Sequence, residues 1–405
     1  MGNVIVDRPG GADFNQLNAP TDVKAANIWF DYDKRFMRVS NGVEYFYGGR
    51  FLGFGGNPLA YVIQNSAICF DGNDIVWVWG DNQYGQLGDG TINNQSSPIS
   101  IIGGHSFTQI VCYYNALGLK EDGTLWAWGN NINGQLGQDN RDNQSSPVSV
   151  LGDHNFIQIA SGNYNSYGLK ADGSIWSWGA NDLGQLGDGT VVNQSSPISV
   201  IGGHSFKRIF CGNGHGLALK LDGSAWVWGY NAFGELGQND ITNYSSPVSV
   251  LGGHEFIQLF GGINTSFGLK LNGSVWAWGN NSNGQLGQND TTNYSSPVSV
   301  LGDHSFIQIS SGGNHCLGLK SNGSIWAWGS NLNGQLGQNN TTNYSSPVSV
   351  LGDHSFIKIS SGAYNSYGLK VDGALWSWGN NTYGQLGDNT TDSKSSPISV
   401  IRNFG

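Results

Sequence analysis

The chain has 405 residues, a formal net charge of −10, 63 Gly residues and only 11% charged residues. This negative charge, with no basic run, excludes the electrostatic footprint of a protein that binds duplex DNA or chromatin. Abundant Gly with few charged residues is typical of a β protein with many tight turns and a polar, uncharged surface.

The N-terminal segment, residues 1–57, is predicted to form an arm and a β-hairpin adapter. Residues 1–22 are polar and contain Gly and Pro, as expected of an arm or linker. Alternating apolar runs on either side of Asp33-Lys34 predict a β-hairpin, and Asn41-Gly42 is a strong signal for a second turn. A short β extension is therefore expected before the main domain.

This extension resembles a short β element of bacteriophage tail, fibre and other virion proteins, in which Ile-Trp-Phe-Asp is followed by Val-x-Asn-Gly. The corresponding residues here are 28–31 and 39–42. The resemblance implies that the segment attaches the protein to other virion or surface proteins. The alternative is that it caps one face of the domain that follows. The candidate attachment residues are Trp29, Phe30, Tyr32 and Phe36.

From residue 58 to residue 405 the chain is a repeat with a period of 50 residues. Residues 59–63 and 67–70 are degenerate versions of the first two runs of the repeat, so seven complete units can be built in sequence order. Such self-similarity is typical of solenoids and propellers, in which each unit buries its apolar face against its neighbours. The word Trp-x-Trp-Gly begins at Trp77, Trp126, Trp176, Trp226, Trp276, Trp326 and Trp376.

Each unit is predicted to contain four short strands. Residues 274–278 alternate between apolar and small side chains, which predicts a strand with Trp276 and Trp278 on one face. Asp-Gly or Asn-Gly precedes this strand in six units and predicts a two-residue hairpin turn with positive φ angles. Runs such as 297–301 and 306–310 supply two more strands, and no run is long enough for an amphipathic helix. The predicted fold is an all-β, seven-bladed β-propeller of four-stranded antiparallel blades.

These words together resemble the repeat of the regulator of chromosome condensation family. Gly-x-x-His-x-x-x-Leu occurs at 312–319, Asp-Gly-x-x-Trp-x-Trp-Gly at 172–179, and Asn-x-x-Gly-Gln-Leu-Gly at 181–187. The resemblance covers residues 59–401 and implies a seven-bladed propeller. It also implies guanine nucleotide exchange as one function, although that activity belongs to eukaryotic members that carry basic elements. The His of the first word is present only as His215 and His315.

No catalytic, metal or cofactor site is predicted. The six histidines of one repeat slot, from His105 to His354, are spread around the ring and are expected to bond local loop backbone. Six lysines of another slot, from Lys120 to Lys370, are expected to form a solvated rim. Every candidate catalytic group recurs in each unit, whereas an active site normally needs unique groups. The chain is therefore expected not to be an enzyme.

The copies differ most in the two residues that follow the Asn of the Asn-x-x-Gly-Gln-Leu-Gly word. These residues lie in one connecting loop and hence on one face. Apolar side chains at exposed tips often mark a contact surface, and the alternative is that they plug the gaps between blades. The candidate binding residues are Tyr84, Leu183, Phe233, Leu332 and Tyr383.

The expected function is that of a binding or structural module displayed on a viral particle, as a decoration, fibre or receptor-recognition protein. A protein or glycan ligand is expected on one propeller face, with no nucleic acid partner and no membrane insertion. The sequence shows no signal peptide, so synthesis in the cytoplasm and a final place on the virion or cell exterior are expected. An inhibitor-like or lectin-like propeller and a nucleotide exchange factor are the alternatives.

Overall fold

The structure is a computed structural model that describes residues 28–31, 36–39, 44–46, 59–63, 66–70, 76–152 and 154–400. It divides into two compact units, residues 1–52 and 53–405. All secondary structure in the described residues is β-strand, with no helix long and apolar enough to cross a bilayer among them.

The N-terminal unit contains an antiparallel sheet of three strands, β1 (Ile28–Asp31), β2 (Phe36–Val39) and β3 (Glu44–Phe46). The register pairs Ile28 with Val39 and Arg38 with Glu44, so the chain reverses twice. Both reversals fall where the sequence places its turn signals. Trp29 and Phe30 belong to β1 and Phe36 to β2, whereas Tyr32 lies outside the described residues.

The second unit is a seven-bladed β-propeller, and each blade is an antiparallel sheet of four strands consecutive in sequence. The prediction of seven blades with four strands each is confirmed. The strands, blade by blade, are β4 to β7 (Leu59–Ile63, Ser66–Phe70, Val76–Gly80, Gln95–Ser100), β8 to β11 (Gln109–Cys112, Asn115–Leu119, Leu125–Gly129, Gln144–Ser149), β12 to β15 (Phe156–Ser161, Asn165–Lys170, Ile175–Gly179, Gln194–Ser199), β16 to β19 (Arg208–Cys211, His215–Leu219, Ala225–Gly229, Tyr244–Ser249), β20 to β23 (Gln258–Gly261, Thr265–Leu269, Val275–Gly279, Tyr294–Ser299), β24 to β27 (Gln308–Ser311, His315–Leu319, Ile325–Gly329, Tyr344–Ser349) and β28 to β31 (Lys358–Ser361, Asn365–Leu369, Leu375–Gly379, Lys394–Ser399).

The first strand of every blade lies next to the first strands of the neighbouring blades, so these strands form the inner wall of the ring. Because the strands of a blade alternate in direction, the turns between strands one and two and the loops between strands three and four emerge on one face. We call this the loop face. The turns between strands two and three and the connections between blades emerge on the opposite face.

The core is divided into layers between adjacent blades, and the second Trp of each Trp-x-Trp-Gly word is the largest side chain in each layer. All seven of these indoles are fully buried. The indole Nε1 of Trp278 donates a hydrogen bond of 2.7 Å to the carbonyl of Glu235 in the preceding blade. Trp79 donates to the carbonyl of Gln385 at 2.9 Å, so the last blade packs on the first in the same way. The ring closes by side-chain packing between complete blades.

The Asp-Gly pair before the third strand does not form the predicted two-residue turn. Only Gly123 of its pair has a positive φ, 83°. Its N–H donates to the carbonyl of Lys120 at 3.1 Å, while the Lys120 N–H donates to the carbonyl of Thr124 at 2.9 Å. This geometry is a wider loop with Gly in the left-handed position. Asp122 instead accepts hydrogen bonds from the N–H and hydroxyl of Thr124, which also lower the pKa of its carboxyl.

Candidate binding face

The loops of the loop face are held by one buried Asn in each blade. Asn131, which is fully buried, accepts a hydrogen bond at its Oδ1 from the N–H of Leu136. Its Nδ2 donates to the carbonyl of Asn140 at 3.2 Å, and its own N–H donates to Asn143 Oδ1 at 2.8 Å. The side chain and backbone N–H of one residue thus fix three points of the loop. This explains why the Asn of the Asn-x-x-Gly-Gln-Leu-Gly word recurs in all seven units, although Glu235 replaces the Gln in one of them.

The same loops also fasten adjacent blades. Gly134 has a φ of 86°, and a Cβ atom there would lie only 2.5 Å from the Cα atom of Ser195 in the next blade. A side chain at this position would therefore push two blades apart. The carbonyl of the following Gln135 accepts the hydrogen bond of Trp178 Nε1 at 2.9 Å. Framework and packing thus constrain the Asn and the Gly residues of each loop, and they leave the two tip residues free to vary.

The predicted tip residues lie on the loop face, but they are spread around the ring rather than gathered in one place. Leu332 is the most exposed of them, at 70%, while Leu183 and Tyr383 are about one-third exposed and Tyr84 and Phe233 are partly buried. The first residue of every tip is exposed, whereas the second is partly buried in most blades. Phe233 packs edge-on against Tyr230 of its own loop.

Three tyrosine rings from successive blades form one contiguous cluster, which we call the tyrosine crescent (Tyr84, Tyr114 and Tyr164). The rings of Tyr114 and Tyr164 are stacked, with centroids 5.6 Å apart and an interplanar angle of 24°. Tyr84 meets Tyr114 edge-on at 5.7 Å, and Tyr113 flanks it at 5.9 Å. The crescent lies at the inner edge of the loop face, because Tyr114 and Tyr164 belong to the turns after the innermost strands.

Sequence reasoning identified Tyr84 but missed Tyr114 and Tyr164. The signal was available, because the residue just before the second strand varies as much as the loop tips. These tyrosines meet because the propeller is curved. The curvature brings the aromatic side chains of turns that are 50 residues apart into contact. The residues at this slot are Tyr114, Tyr164, Gly214, Asn264, Asn314 and Tyr364.

A chain of backbone hydrogen bonds fixes these inner turns to one another. The Asn163 N–H donates to the carbonyl of Asn213 at 3.2 Å, and the Asn213 N–H donates to the carbonyl of Gly262 at 3.1 Å. In the described residues, the side-chain Oδ1 atoms of Asn163 and Asn213 are buried and have no hydrogen-bond partner. Two side-chain oxygens in the turns next to the tyrosine crescent therefore accept no hydrogen bond from the described residues.

The loops between strands three and four carry acidic side chains with a single base, Arg141, among the described residues. Burial raises the pKa of the Asp81 carboxyl, although hydrogen bonds from Gln83 and Gln86 partly offset this effect. Burial, together with the charges of groups that include Tyr164, Tyr84 and Asp81, raises the pKa of Tyr114. The crescent hydroxyl at Tyr114 is therefore neutral at pH 7. The acidic residues of these loops are Asp81, Asp89, Asp139, Asp142, Asp182, Asp188, Glu235, Asp240, Asp290, Asp388 and Asp392.

Glu235 stands where the other six blades have Gln, and it is fully buried. Its Oε2 accepts the N–H of Phe233 at 2.9 Å, as the Gln side chains do in their own loops, while Oε1 has no partner among the described residues. In blade five the equivalent Gln285 donates from Nε2 to Asn280 Oδ1 at 2.8 Å, but Tyr230 occupies that position here. Burial raises the pKa of Glu235 to about 7.

The opposite face carries a Lys–Trp–His stack in six blades. The Lys Nζ atoms lie 4.0–4.7 Å from the centroid of the first Trp of the word. The His ring centroids lie 4.1–4.5 Å from the same indoles. The lysines are thus seated on aromatic faces rather than forming the freely solvated rim that was expected. The histidines have a local role, but it is packing on Trp rather than the expected bonding of loop backbone.

Side chains suited to a metal ion are not grouped anywhere in the described part of the chain. His215 and His315 are fully buried, and burial lowers their pKa values to about 4 and about 3. Each ring Nε2 lies 2.9 Å from a Ser hydroxyl of the next blade, Ser266 or Ser366. These two histidines are therefore inter-blade contacts.

Comparison with known families agrees with this architecture. A model of the RCC1-like domain matches residues 199–404, a little over half of the chain. The chain belongs to the RCC1-like domain family. Models of the regulator of chromosome condensation (RCC1) repeat match the preceding part, at 73–113, 122–169 and 172–219. The RCC1-like resemblance noted in the sequence is thus confirmed.

Solved structures of RCC1-like propellers are similar to this one in fold. Human WBSCR16 is 23% identical with a TM-score of 0.73, over 81% of this chain and 94% of that one. Prp20p from Saccharomyces cerevisiae, described with its binding properties to Gsp1p and histones, is 20% identical with a TM-score of 0.74, over 85% and 88%. At these identities the likeness establishes the fold alone. Among curated proteins, no sequence matches this RCC1-like chain.

Proposed function

We propose that this RCC1-like propeller is a non-enzymatic binding module whose loop face engages a protein or glycan partner. The observation that carries the proposal is the contrast within each loop. Asn131 and its equivalents hold the same framework in every blade, whereas the adjacent tip residues change in size, polarity and aromaticity. A framework must meet the same packing demands each time, but a surface that meets an asymmetric partner need not repeat.

Attachment to a larger assembly is the second part of the proposal. The N-terminal segment forms its own compact unit with a three-stranded sheet, and only this segment departs from the 50-residue repeat. Its likeness to a phage virion element supports display on a viral particle, at the virion or cell exterior. The proposed attachment residues remain Trp29, Phe30, Tyr32 and Phe36.

Nucleotide exchange is the second candidate function. Membership of the RCC1-like domain family supports it, as does the fold likeness to Prp20p, which is described as binding Gsp1p. The net charge of −10 and the absence of a basic run favour a protein or glycan partner over nucleic acid. A purified protein that accelerates nucleotide release from a small GTPase would move this candidate to first place.

Site-specific photo-crosslinking in the producing cells tests the proposed face. A benzophenone amino acid replaces Leu332, which is 70% exposed on the loop face, or Leu271, which is 86% exposed on the opposite face. We expect discrete adducts from position 332 and none from the matched control at 271. Adducts from 271 alone, or equal adducts from both positions, would contradict the assignment of the loop face.

A separate measurement tests the attachment. The double variant Trp29→Ser with Phe30→Ser should remain in the low-mass fraction of a density gradient, while the unaltered protein sediments with particles. The matched control is Tyr45→Ser, in the third strand of the same small sheet. Normal sedimentation of the double variant would show that these residues do not attach the protein.

A further inference from the structure

The tyrosine crescent offers aromatic faces to a ligand. Tyr84, Tyr114 and Tyr164 come from three successive blades and touch through ring contacts of 5.6 and 5.7 Å. Tyr164 is 38% exposed, and the other two are partly buried. The turn that carries Tyr164 is fixed to its neighbour by the hydrogen bond from Asn163 N–H to the Asn213 carbonyl, and a Tyr side chain has only two torsions to fix on binding.

Acceptor atoms flank the crescent, and two of them have no donor among the described residues. Asn163 Oδ1 adjoins Tyr164 in sequence and Asn213 Oδ1 lies in the next inner turn, and both are buried without a partner in the described residues. Asp81, only 2% exposed, lies close enough for its charge to act on Tyr114. Unsatisfied buried acceptors are costly, and because these two oxygens are shielded from solvent, a ligand that brings N–H donors gains from pairing with them only when the surrounding turns shift.

The negative charge of the loop face also favours a ligand that carries a positive charge. Acidic residues in the loops between strands three and four outnumber the single Arg141, and the inner turns 113–114, 163–164, 213–214, 263–264, 313–314 and 363–364 contain no charged residue. The loop face also carries Lys394, which pairs with Asp388 at 3.7 Å. The opposite face carries six lysines, from Lys120 to Lys370, that offset acidic residues such as Asp122 and Glu255. The face that carries the crescent therefore attracts cations.

Aromatic faces, unused acceptors and negative charge together suit one chemical group. We propose that the tyrosine crescent binds an arginine- or lysine-bearing segment of a partner protein, with the cation over the tyrosine rings and its N–H groups directed to the amide and carboxylate oxygens. Cation–π attraction and charge-assisted hydrogen bonds then act on the same side chain. This inference rests on the proposed function of the loop face and names the chemistry of its partner.

A neutral glycan is a different ligand that also stacks on tyrosine. A neutral glycan would not be attracted by the acidic loops, whereas a cation is attracted both by these loops and by the tyrosine rings. An acidic ligand would be repelled. The distribution of charge between the two faces therefore favours the basic segment, and the saccharide becomes one outcome of the test.

The first experiment titrates the full-length protein into fluorescein-labelled peptides and follows anisotropy. The probe is Gly-Ser-Arg repeated three times, and the matched probes carry Gln or Glu at the three Arg positions. We expect the Arg peptide to bind roughly tenfold more tightly than the Gln peptide, and the Glu peptide not to bind. Equal binding of the Arg and Gln peptides would overturn the inference.

Ring variants separate a specific site from diffuse attraction to a protein of net charge −10. The double variant Tyr114→Leu with Tyr164→Leu keeps the charge and removes two rings, so we expect the Arg peptide to bind roughly tenfold more weakly. Tyr164→Phe keeps its ring and should bind within about twofold of the unaltered protein. Leu271→Ser, an exposed position on the opposite face, is the matched control and should change nothing. The single variant Tyr164→Leu, at a partly exposed position, serves if the double variant does not fold. Unchanged affinity after ring removal would overturn the inference.

A third arm distinguishes the two proposals. If maltohexaose binds in a manner that depends on Tyr114 and Tyr164 while the Arg peptide does not, the basic-segment inference is wrong and the loop face survives as a binding face. If the Arg peptide fails but position 332 still gives crosslinked adducts, the same conclusion holds. If peptide, saccharide and crosslinker all fail, the proposed function is wrong as well.

Discussion

The two faces of the propeller are both exposed to water, yet one side-chain stack recurs in six blades on the opposite face, whereas the loop tips differ from blade to blade on the loop face. On the opposite face, Lys270 and His254 pack on Trp276, and the equivalent trio recurs in five other blades. On the loop face, the corresponding exposed tips carry residues as different as Ile132, Ser282 and Leu332. Exposure alone therefore does not explain the variation.

The difference lies in what each exposed side chain contacts. In the Lys–Trp–His stack, Lys and His both contact the Trp of their own blade, so the same three residues can be used in every blade that has this structure. A loop tip has no partner that recurs from blade to blade, because the framework Asn and Gly residues already complete the loop beneath it. The residue type at a tip can therefore vary to suit a partner outside the blade. The predictions below test this separation of framework from tip, beginning with the largest effect.

Removal of a framework indole should have the largest effect on stability. Trp278→Ala deletes a fully buried side chain and its hydrogen bond to the Glu235 carbonyl, which lies in the preceding blade. We expect the free energy of unfolding to fall by about 3–5 kcal/mol in urea titrations. Trp276→Ala, which removes the half-exposed indole of the same word, is the matched comparison and should cost clearly less. Equal losses would mean that the two tryptophans do not divide into core and surface.

The tip variant should instead affect binding and leave stability alone. Phe233→Ser combined with Tyr383→Ser changes partly exposed residues that the framework does not use. We expect a nearly unchanged melting temperature and partner binding weaker by about 1–3 kcal/mol, measured on the partner captured by crosslinking. A variant that unfolds, while binding per folded molecule is unaltered, would identify these side chains as plugs between blades.

The buried carboxyl of blade four should make stability depend on pH. Because the folded-state pKa of Glu235 is raised to about 7 from 4.5, the folded protein binds a proton that the unfolded chain releases between those values. Stability from this group is therefore present below pH 4.5 and is lost as pH rises through 7. Glu235→Gln should stabilise the protein by about 1–2 kcal/mol at pH 8 and hardly at all at pH 4.5.

Two matched variants check that result. Gln285→Glu places a carboxyl in the equivalent position of blade five, beside Asn280 Oδ1, and should produce the same loss at pH 8. His215→Asn should act in the opposite pH range, because the lowered pKa of His215 makes the folded protein lose stability as pH falls from 6.5 toward 4. A pH-independent effect of Glu235→Gln would show that this carboxyl is charged in the folded state.

The smallest effect is expected from the surface stack. Lys270→Gln removes an ammonium that lies 4.7 Å from the Trp276 centroid while keeping much of the aliphatic stem. We expect a loss of about 0.5–1 kcal/mol in unfolding free energy, since the pair is partly exposed, and no change in partner binding. Lys207→Gln, at a blade connection without a ring contact among the described residues, is the control and should be neutral. A binding defect in Lys270→Gln would give the opposite face a role in recognition.

The architecture could be predicted from the sequence because the same pattern of strands and turns occurs in every repeat unit. Seven Trp-x-Trp-Gly words and four short runs per unit were enough to give seven four-stranded blades. Sequence reasoning failed where one residue pair supports two geometries, as at Asp122-Gly123, where only the Gly adopts a positive φ. It also placed Lys270 in free solvent, because a strand pattern does not show that the lysine side chain folds back over an indole.

The tyrosine crescent lay beyond sequence reasoning for a different reason. Tyr114 and Tyr164 share one slot of successive units, but Tyr84 occupies a different slot, so the periodicity does not connect all three. They meet because the ring curves and the inner turns converge. The framework is a local property repeated along the chain, whereas the candidate site is a property of the closed ring.

Closure has a consequence for the way the propeller comes apart. In an open array of repeats, terminal units have one neighbour instead of two and can fray. Here Trp79 donates to the Gln385 carbonyl just as Trp278 donates to that of Glu235, so the first and last blades have a neighbour on each side. Hydrogen exchange should then find no gradient of protection from one end of the ring to the other. A closed ring gives unfolding no terminus from which to begin, and its first opening must break two interfaces at once.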